Sequence, residues 1–310
     1  MTPVRIAVAG YGHMGRHHAE KVLELARLDA GVSLAGVADR DPAQARRAAR
    51  RAPRVAADLR DLVPHADAVI VAVSTLSHYR VVRDALEAGL DVLVEKPIAA
   101  ELDQAESLVV LARRRGRVLQ VGHQEWFNPA LAAVRDRIRA PRFVEAHRVG
   151  PFAPRATDVD VVRDLMIHDL DIVLQILGEE PTRVDAVGVP VLSGQIDIAN
   201  ARLVFPDGCV ATLTASRVAR SPVRVLRLFE RDAAFTLDFL AQTAFEQRRL
   251  GEAGRVAVEE WKGGPRDTLL AQLAAFVAAV RRRDGGEVKI GALRTALRVV
   301  EAMPGLASAR

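Results

Sequence analysis

The chain has 310 residues, half of them apolar, enough for two domain cores. No run of 18 apolar residues occurs, which argues against a membrane span, and the single cysteine, Cys209, suits a reducing, cytoplasmic compartment. The net charge of +5 would suit nucleic acid. However, only four of the 44 basic residues are lysines, and the arginine clusters (46–54, 113–115, 281–283) sit in alanine-rich helical patterns without aromatic interleaving, so we read them as solvated helix faces.

Up to residue 122, short valine-rich runs alternate with helical patterns. "VRIAVAG" (4–10), "SLAGVAD" (33–39), "ADAVIVAVS" (66–74), "DVLVEKP" (91–97) and "RVLQVG" (117–122) read as strands, with a short one near Val55. The first begins so early that we expect no signal or transit peptide. Helical patterns lie at about 14–28, 42–52, 76–88 and 101–114, and Gly89 and Gly116 mark two helix ends. Continuous apolar strands separated by helices indicate a parallel sheet covered on both faces. A first domain is therefore expected over 1–122 and a second over 123–310, the last helices being free to pack back on the first.

Beyond Gly122 a helix is expected over 128–138, a strand over 142–149, and a helix over 161–177 ("VVRDLMIHDLDIVLQIL"). Seven alternating segments follow, from "TRVDAVGV" to "RVAVEEW". We read them as an open antiparallel sheet with helices on one face, including a Pro-Asp-Gly hairpin in "VFPDGCVA". Helices at 267–283 and 290–303 close the chain. In the 161–177 helix, Asp164, His168, Asp171 and Gln175 share one narrow stripe at about 100° per residue, and Asp169 lies off it. So thin a polar stripe on an otherwise apolar helix asks what it faces.

Two motifs carry chemistry. "VAGYGHMG" sets Gly10, Gly12 and Gly15 between the first strand and a helix, the pattern of a dinucleotide loop: a tight turn, an open backbone for the pyrophosphate, and close helix–strand packing. Asp39 ends the second strand 24 residues after Gly15, where a carboxylate binds ribose hydroxyls and repels a 2′-phosphate. NAD is therefore favoured as cofactor, with Arg40 keeping NADP open. Lys96 follows the fifth strand at the sheet's C-terminal edge, where such sheets bind ligands. His17 and His18 read as helix-face residues, Cys209 as an inert strand residue, and no Cys/His spacing suggests a metal.

Gly10–Gly15, Asp39, "VSTLSHY" (73–79), "EKP" (95–97) and the D-x-x-x-H of Asp164 and His168, in that order, resemble the Gfo/Idh/MocA oxidoreductases. The resemblance covers essentially the whole chain. It implies a doubly wound Rossmann domain and an α+β domain with an open antiparallel sheet. Lys96, Asp164 and His168 would form the catalytic centre, facing the nicotinamide and answering the question of the stripe. Cofactor contacts would come from Gly10, Tyr11, Gly12, His13, Met14, Gly15, Asp39, Arg40, Ser74, Thr75, His78, Glu95, Lys96 and Gln124. Substrate contacts would come from Lys96, Trp126, Asn128, Asp164 and His168, although relatives commonly carry arginine at Trp126. The Lys96–Pro97 bond is often cis in such proteins, and the uncovered sheet face would make a homodimer or homotetramer.

Within the family, "GHQEWFNPA" and the segment from Val144 to Val173 look most like the bacterial sugar-nucleotide 3-dehydrogenases, which make 3-keto UDP-N-acetylhexosamines for surface-glycan or lipid A synthesis. Arg148 and Arg155 flank the loop before the polar-striped helix. They are candidates for bidentate contacts to a nucleotide sugar's diphosphate, against a plain reading as solvated loop arginines. An inositol or free-sugar dehydrogenase, and an NAD-dependent glycosidase, remain alternatives.

Overall fold

The computed structural model describes residues 3–153, 159–251, 254–263, 266–284 and 288–303. The chain packs as two compact units, Met1–Gln124 with Asp267–Ile290, and Glu125–Arg266 with Gly291–Arg310.

The first unit opens with β1 (Val4–Ala9), α1 (His13–Leu28), β2 (Val32–Ala38), α2 (Pro42–Ala48) and β3 (Val55–Ala56). It continues with β4 (Ala68–Val71), α3 (Thr75–Glu87), β5 (Asp91–Val94), α4 (Leu102–Arg115) and β6 (Leu119–Val121). All six strands are parallel, in the order β3-β2-β1-β4-β5-β6. β4 and β5 are buried at every position, as strands covered on both faces must be. The expected helix ends hold: Gly116 closes α4 at φ 59°, and Gly89 follows α3 at φ 83°. At the other end, Asp41 caps α2, accepting from the Ala43 N–H, with Pro42 in the first turn.

The second unit contains α5 (Pro129–Val134), β7 (Phe143–Val149), α6 (Ile167–Leu177), β8 (Arg183–Val189), β9 (Ile198–Val204) and β10 (Val210–Ser216). β11 (Val223–Phe229), β12 (Ala233–Asp238), β13 (Thr243–Leu250) and β14 (Arg255–Lys262) complete its sheet. The strand order is β14-β13-β12-β11-β7-β10-β9-β8. One feature departs from expectation: β7 and β10 run parallel, so the sheet is antiparallel in every ladder but that one. Alternation within each strand cannot reveal this, since both pairings share the period of two. The hairpin forms as expected, with Gly208 at φ 83° and its N–H donating to the Phe205 carbonyl at 3.0 Å.

The chain then returns to the first unit with α7 (Thr268–Arg282), whose Leu273, Phe276 and Val277 are buried in the Rossmann core beside Val4, Val22 and Val32. Arg281 pairs with Asp29 beyond the end of α1, and Lys21 of α1 pairs with Asp267, the α7 cap. The last helix, α8 (Gly291–Glu301), goes back to the second unit and packs on α6 and β8. Alternate residues of the large sheet, such as Val144, Ala146, Leu213 and Phe235, are buried in the core with α6 and α8. On the opposite face Phe143, Val187, Val189 and Val223 are exposed.

A buried charge organises the turn between β8 and β9. Asp197 accepts from the backbone N–H groups of Val191, Leu192 and Ser193 at 2.8, 2.6 and 2.8 Å, from the Ser193 hydroxyl at 2.6 Å and from Arg217 Nε at 2.8 Å. Burial raises the Asp197 pKa, but the hydroxyl and backbone donors outweigh it and hold the carboxyl well below the usual range. A depressed folded-state value means a stabilisation present above the unfolded pKa, near 4, and lost as pH falls below it. Asp197→Asn should therefore lower the thermal midpoint at pH 7, and its deficit should narrow as pH drops below about 4. A deficit unchanged between pH 7 and pH 3 would contradict this.

Candidate active site

The glycine loop shows what surrounds each glycine. Gly10 sits at φ 89°, and a Cβ there would lie 2.6 Å from the Ala72 carbonyl oxygen. A Cβ on Gly15 would lie 1.9 Å from the Gly10 oxygen, so α1 presses directly on the end of β1. Nothing lies within 4 Å of a Cβ on Gly12, which leaves its backbone open at the N-cap of α1. These are the three roles expected of a pyrophosphate cradle. Asp39 does more than expected: its carboxylate accepts the Tyr11 N–H at 2.6 Å and the Asp41 N–H at 2.8 Å, so it ties the loop to the end of β2.

Gly10, Gly12, Asp39, Arg40 and Ser74 line a pocket of about 490 Å³, together with Asp58, Arg60, Ser77 and Arg80. The loop, the open helix N-terminus and the acidic residue after β2 fit a dinucleotide. Asp58 and Arg60 were not anticipated. Arg60 donates through Nε at 3.1 Å and through a terminal nitrogen at 2.9 Å, and this holds the Asp58 carboxyl at about 2. Thr75 begins α3 after Ser74, whose hydroxyl donates to that of Ser77 at 3.3 Å. Tyr11 is buried, Met14 is half-buried, and the exposed His13 meets His17 edge to face at 4.8 Å.

His78 is a correction. Its ring is 1% exposed, with Nδ1 2.7 Å from the Pro97 carbonyl oxygen and Nε2 3.1 Å from that of Val73. Burial pushes its pKa down. It braces two loops from beneath rather than presenting a side chain to a cofactor. Beside it, Glu95 and Lys96 leave the end of β5 half-buried, and the Lys96–Pro97 bond is cis, as the resemblance implied. His18, read as a helix-face residue, is instead 1% exposed, with Nε2 2.6 Å from Glu95 Oε1. Burial pushes the Glu95 pKa up, but the His18 bond and the His18 and Lys96 charges outweigh it and lower it overall. Gln124 is half-buried just after β6.

In the second unit, the segment expected as one α-helix over 161–177 is divided. Val162–Met166 forms a π-helix, and only from Ile167 is the helix α. A π turn carries more residues per revolution, so the α-helical angle assigned to Asp164 does not hold; such turns often mark functional sites. Asp164 and His168 are both half-buried, and Asp171 accepts from Gln175 at 2.8 Å.

Arg148 is a second correction. It lies on β7, 2% exposed, and donates to Asp169 at 2.9–3.1 Å and to Glu125 at 2.8 Å. It is neither a loop arginine nor a diphosphate ligand, since its guanidinium is committed to two buried carboxylates. Burial raises the Asp169 pKa against the pull of Arg148. Arg224 approaches Glu125 at 3.4 Å and brings a second cation to the cluster. Asn128, expected at the substrate, is 2% exposed; it caps α5 by accepting from Ala130 and donates to Glu125 and the Phe239 carbonyl. Trp126 packs against the core, with Arg135 5.6 Å from its ring centre. Arg155 lies outside the described residues.

One missed residue was findable. His18 shares the buried side of α1 with Gly15, Ala19, Val22 and Leu25, a spacing that places it on the apolar face. The Arg148 cluster had no such signal, because its members lie 21 and 23 residues apart on separate elements.

Residues 4–123 match an oxidoreductase family with an NAD-binding Rossmann fold, and residues 134–231 match the GFO/IDH/MocA C-terminal domain. The chain is 38% identical over 298 residues to the UDP-N-acetylglucosamine 3-dehydrogenase of Acidithiobacillus ferrooxidans, covering 90% of each. A solved structure of that dehydrogenase superposes with a TM-score of 0.88 at 36% identity, over 98% of both chains. A myo-inositol dehydrogenase of Streptomyces leeuwenhoekii is 34% identical over 231 residues, 68% of this chain and 69% of that one. The chain belongs to the Gfo/Idh/MocA family of oxidoreductases, with NAD as its cofactor.

Proposed function

We propose that the chain oxidises the C3 hydroxyl of a UDP-N-acetylhexosamine to the 3-keto sugar. The likeness to the UDP-N-acetylglucosamine 3-dehydrogenase, which runs nearly the length of both chains, carries this reading. A bound NAD would supply the hydride acceptor for this oxidation. The residues that would hold it are the Gly10–Gly15 loop at the N-terminus of α1 and Asp39 after β2.

In this reading His168 takes the hydroxyl proton, imidazole being the side chain that titrates nearest neutral pH. Asp164 steadies the imidazolium so formed, and the Lys96 ammonium donates to the developing alkoxide. His168→Asn and Lys96→Gln should each lose at least about two decades of turnover on UDP-N-acetylglucosamine. NADH affinity, measured by direct titration, should change far less for His168→Asn. Near-native turnover of either variant would remove that residue from the mechanism.

A thermal-shift screen with NAD present tests the substrate. A ligand at 100-fold its dissociation constant adds about 2.7 kcal/mol, so UDP-N-acetylglucosamine should raise the midpoint more than myo-inositol or free sugars. The reverse order would favour the inositol-dehydrogenase reading. NADH should also bind more tightly than NADPH, since Asp39 repels a 2′-phosphate.

We also propose assembly through the sheet face that carries Phe143, Val187 and Val223. The expected mass at micromolar concentration is that of a dimer or tetramer, and a monomer would refute it.

A further inference from the structure

Arg40, Arg60 and Arg80 line the dinucleotide pocket in company with Asp39, Asp58 and Asp84. A guanidinium near the end of the second strand is what a Rossmann site uses to take a 2′-phosphate. The pocket therefore carries donors suited to NADP beside the Asp39 that suits NAD, and the aspartates decide what those donors can do. Arg80 approaches Asp84 at 3.9 Å, one turn further along α3, a loose pair at the surface. Arg60 is held more closely: Nε and a terminal nitrogen donate to the two oxygens of Asp58 at 3.1 and 2.9 Å, a fork that matches the carboxylate edge. Asp58 is itself fixed, because it caps the 3-10 turn over Leu59–His65 by accepting the Arg60 N–H at 3.0 Å. The Arg60 bonds, with a smaller pull from the Arg40 charge, keep the Asp58 carboxyl at about 2, so it is ionised at every pH at which the enzyme would be assayed. The Arg60 side chain is 80% exposed, so solvent screens the pair and it adds little to stability. Its consequence lies in recognition.

We propose that Asp58 is a second residue setting the choice between NAD and NADP: it engages the Arg60 guanidinium, offsets the Arg40 charge and adds a carboxylate to the pocket, so that neither arginine serves a 2′-phosphate. This rests on the cofactor occupying the pocket beside the glycine loop. A phosphate monoester brings close to two negative charges. With Asp58 in place it meets two carboxylates, Asp39 and Asp58. Without that charge it meets one carboxylate and a guanidinium no longer engaged by Asp58. Discrimination is then shared between the end of β2 and the turn after β3, rather than resting on Asp39 alone.

The test is direct fluorescence titration of the full-length protein with NADH and with NADPH, read as the ratio of the NADPH to the NADH dissociation constant. It compares the parent chain with Asp58→Asn, Asp58→Ser, Asp39→Asn and the double variant Asp58→Asn/Arg60→Gln. Asn and Ser each keep an oxygen that caps the turn while removing the charge. In both single Asp58 variants the ratio should fall by about tenfold, the size of effect that a charge-assisted guanidinium contact carries. Adding Arg60→Gln to Asp58→Asn should restore most of the parent ratio. The fall should also shrink as salt rises from about 0.05 to 0.5 M, because the charges involved are exposed. A parent ratio in folded Asp58 variants, an equal gain for both cofactors, or a gain that survives Arg60→Gln would each overturn the proposal. If Asp58→Asn does not fold, Asp58→Ser decides, and failure of both to fold would make Asp58 a structural cap and overturn it. A parent chain that binds NADPH more tightly than NADH would remove the Asp39 argument and this proposal together. A lower ratio for Asp39→Asn beside unchanged Asp58 variants would sink this proposal alone.

Discussion

The absence of clearance between α1 and the end of β1 governs the first unit. With the Gly10 oxygen occupying the place a Gly15 side chain would need, the helix has one depth and one starting point. That contact leaves the Gly12 backbone open at the N-cap of α1 and turns His18 inward toward Glu95. It also sets the groove on which α7 lies, where Phe276 and Val277 join Val22 of α1 in one core. Asp39 completes the loop from the other side by holding the Tyr11 N–H. A cradle built this way is backbone first, with side chains securing it, which is why its essential positions are glycines.

The second unit is organised differently, around charge withdrawn from water. Arg148 on β7, Asp169 on α6 and Glu125 beside the sheet form a cluster whose lone members would each be costly to bury. Because Asp169 directly follows His168, the guanidinium that anchors one also sets how far the helix slides over the sheet at the other. The π-helix just before it adds an extra residue to the turn that carries Asp164. Orientation of the Asp164–His168 segment thus depends on a buried ion cluster and an irregular turn, not on amphipathic packing alone.

Much of this was legible in the sequence. Strand and helix order, the glycine loop, Asp39, the hairpin at Gly208 and the alternation of the large sheet all follow from local pattern, because period and turn chemistry act over a few residues. What escaped was long-range or hidden by shared periodicity. The parallel pairing of β7 and β10 leaves no mark on alternation, and Arg148 looked like a ligand because its carboxylate partners are distant in the chain. Asn128, expected at the substrate, stands before Pro129 and an alanine-rich helix, and there it serves as the cap. His78 is a polar residue whose burial only the fold explains, whereas His18 falls on the apolar face of α1 that Ala19, Val22 and Leu25 mark.

The return of α7 to the first unit has a consequence for synthesis. Val4, Val22 and Val32 lie under a helix that does not exist until the whole strand-rich segment of the second unit has been translated. At about 5–20 residues per second, the ribosome leaves that apolar groove open for roughly 13–50 seconds after the glycine loop has emerged. The nascent first unit is thus a Rossmann sheet with its seam unsealed, a state in which a chaperone has an apolar surface to hold. The Lys21–Asp267 and Arg281–Asp29 pairs close the two ends of that seam last.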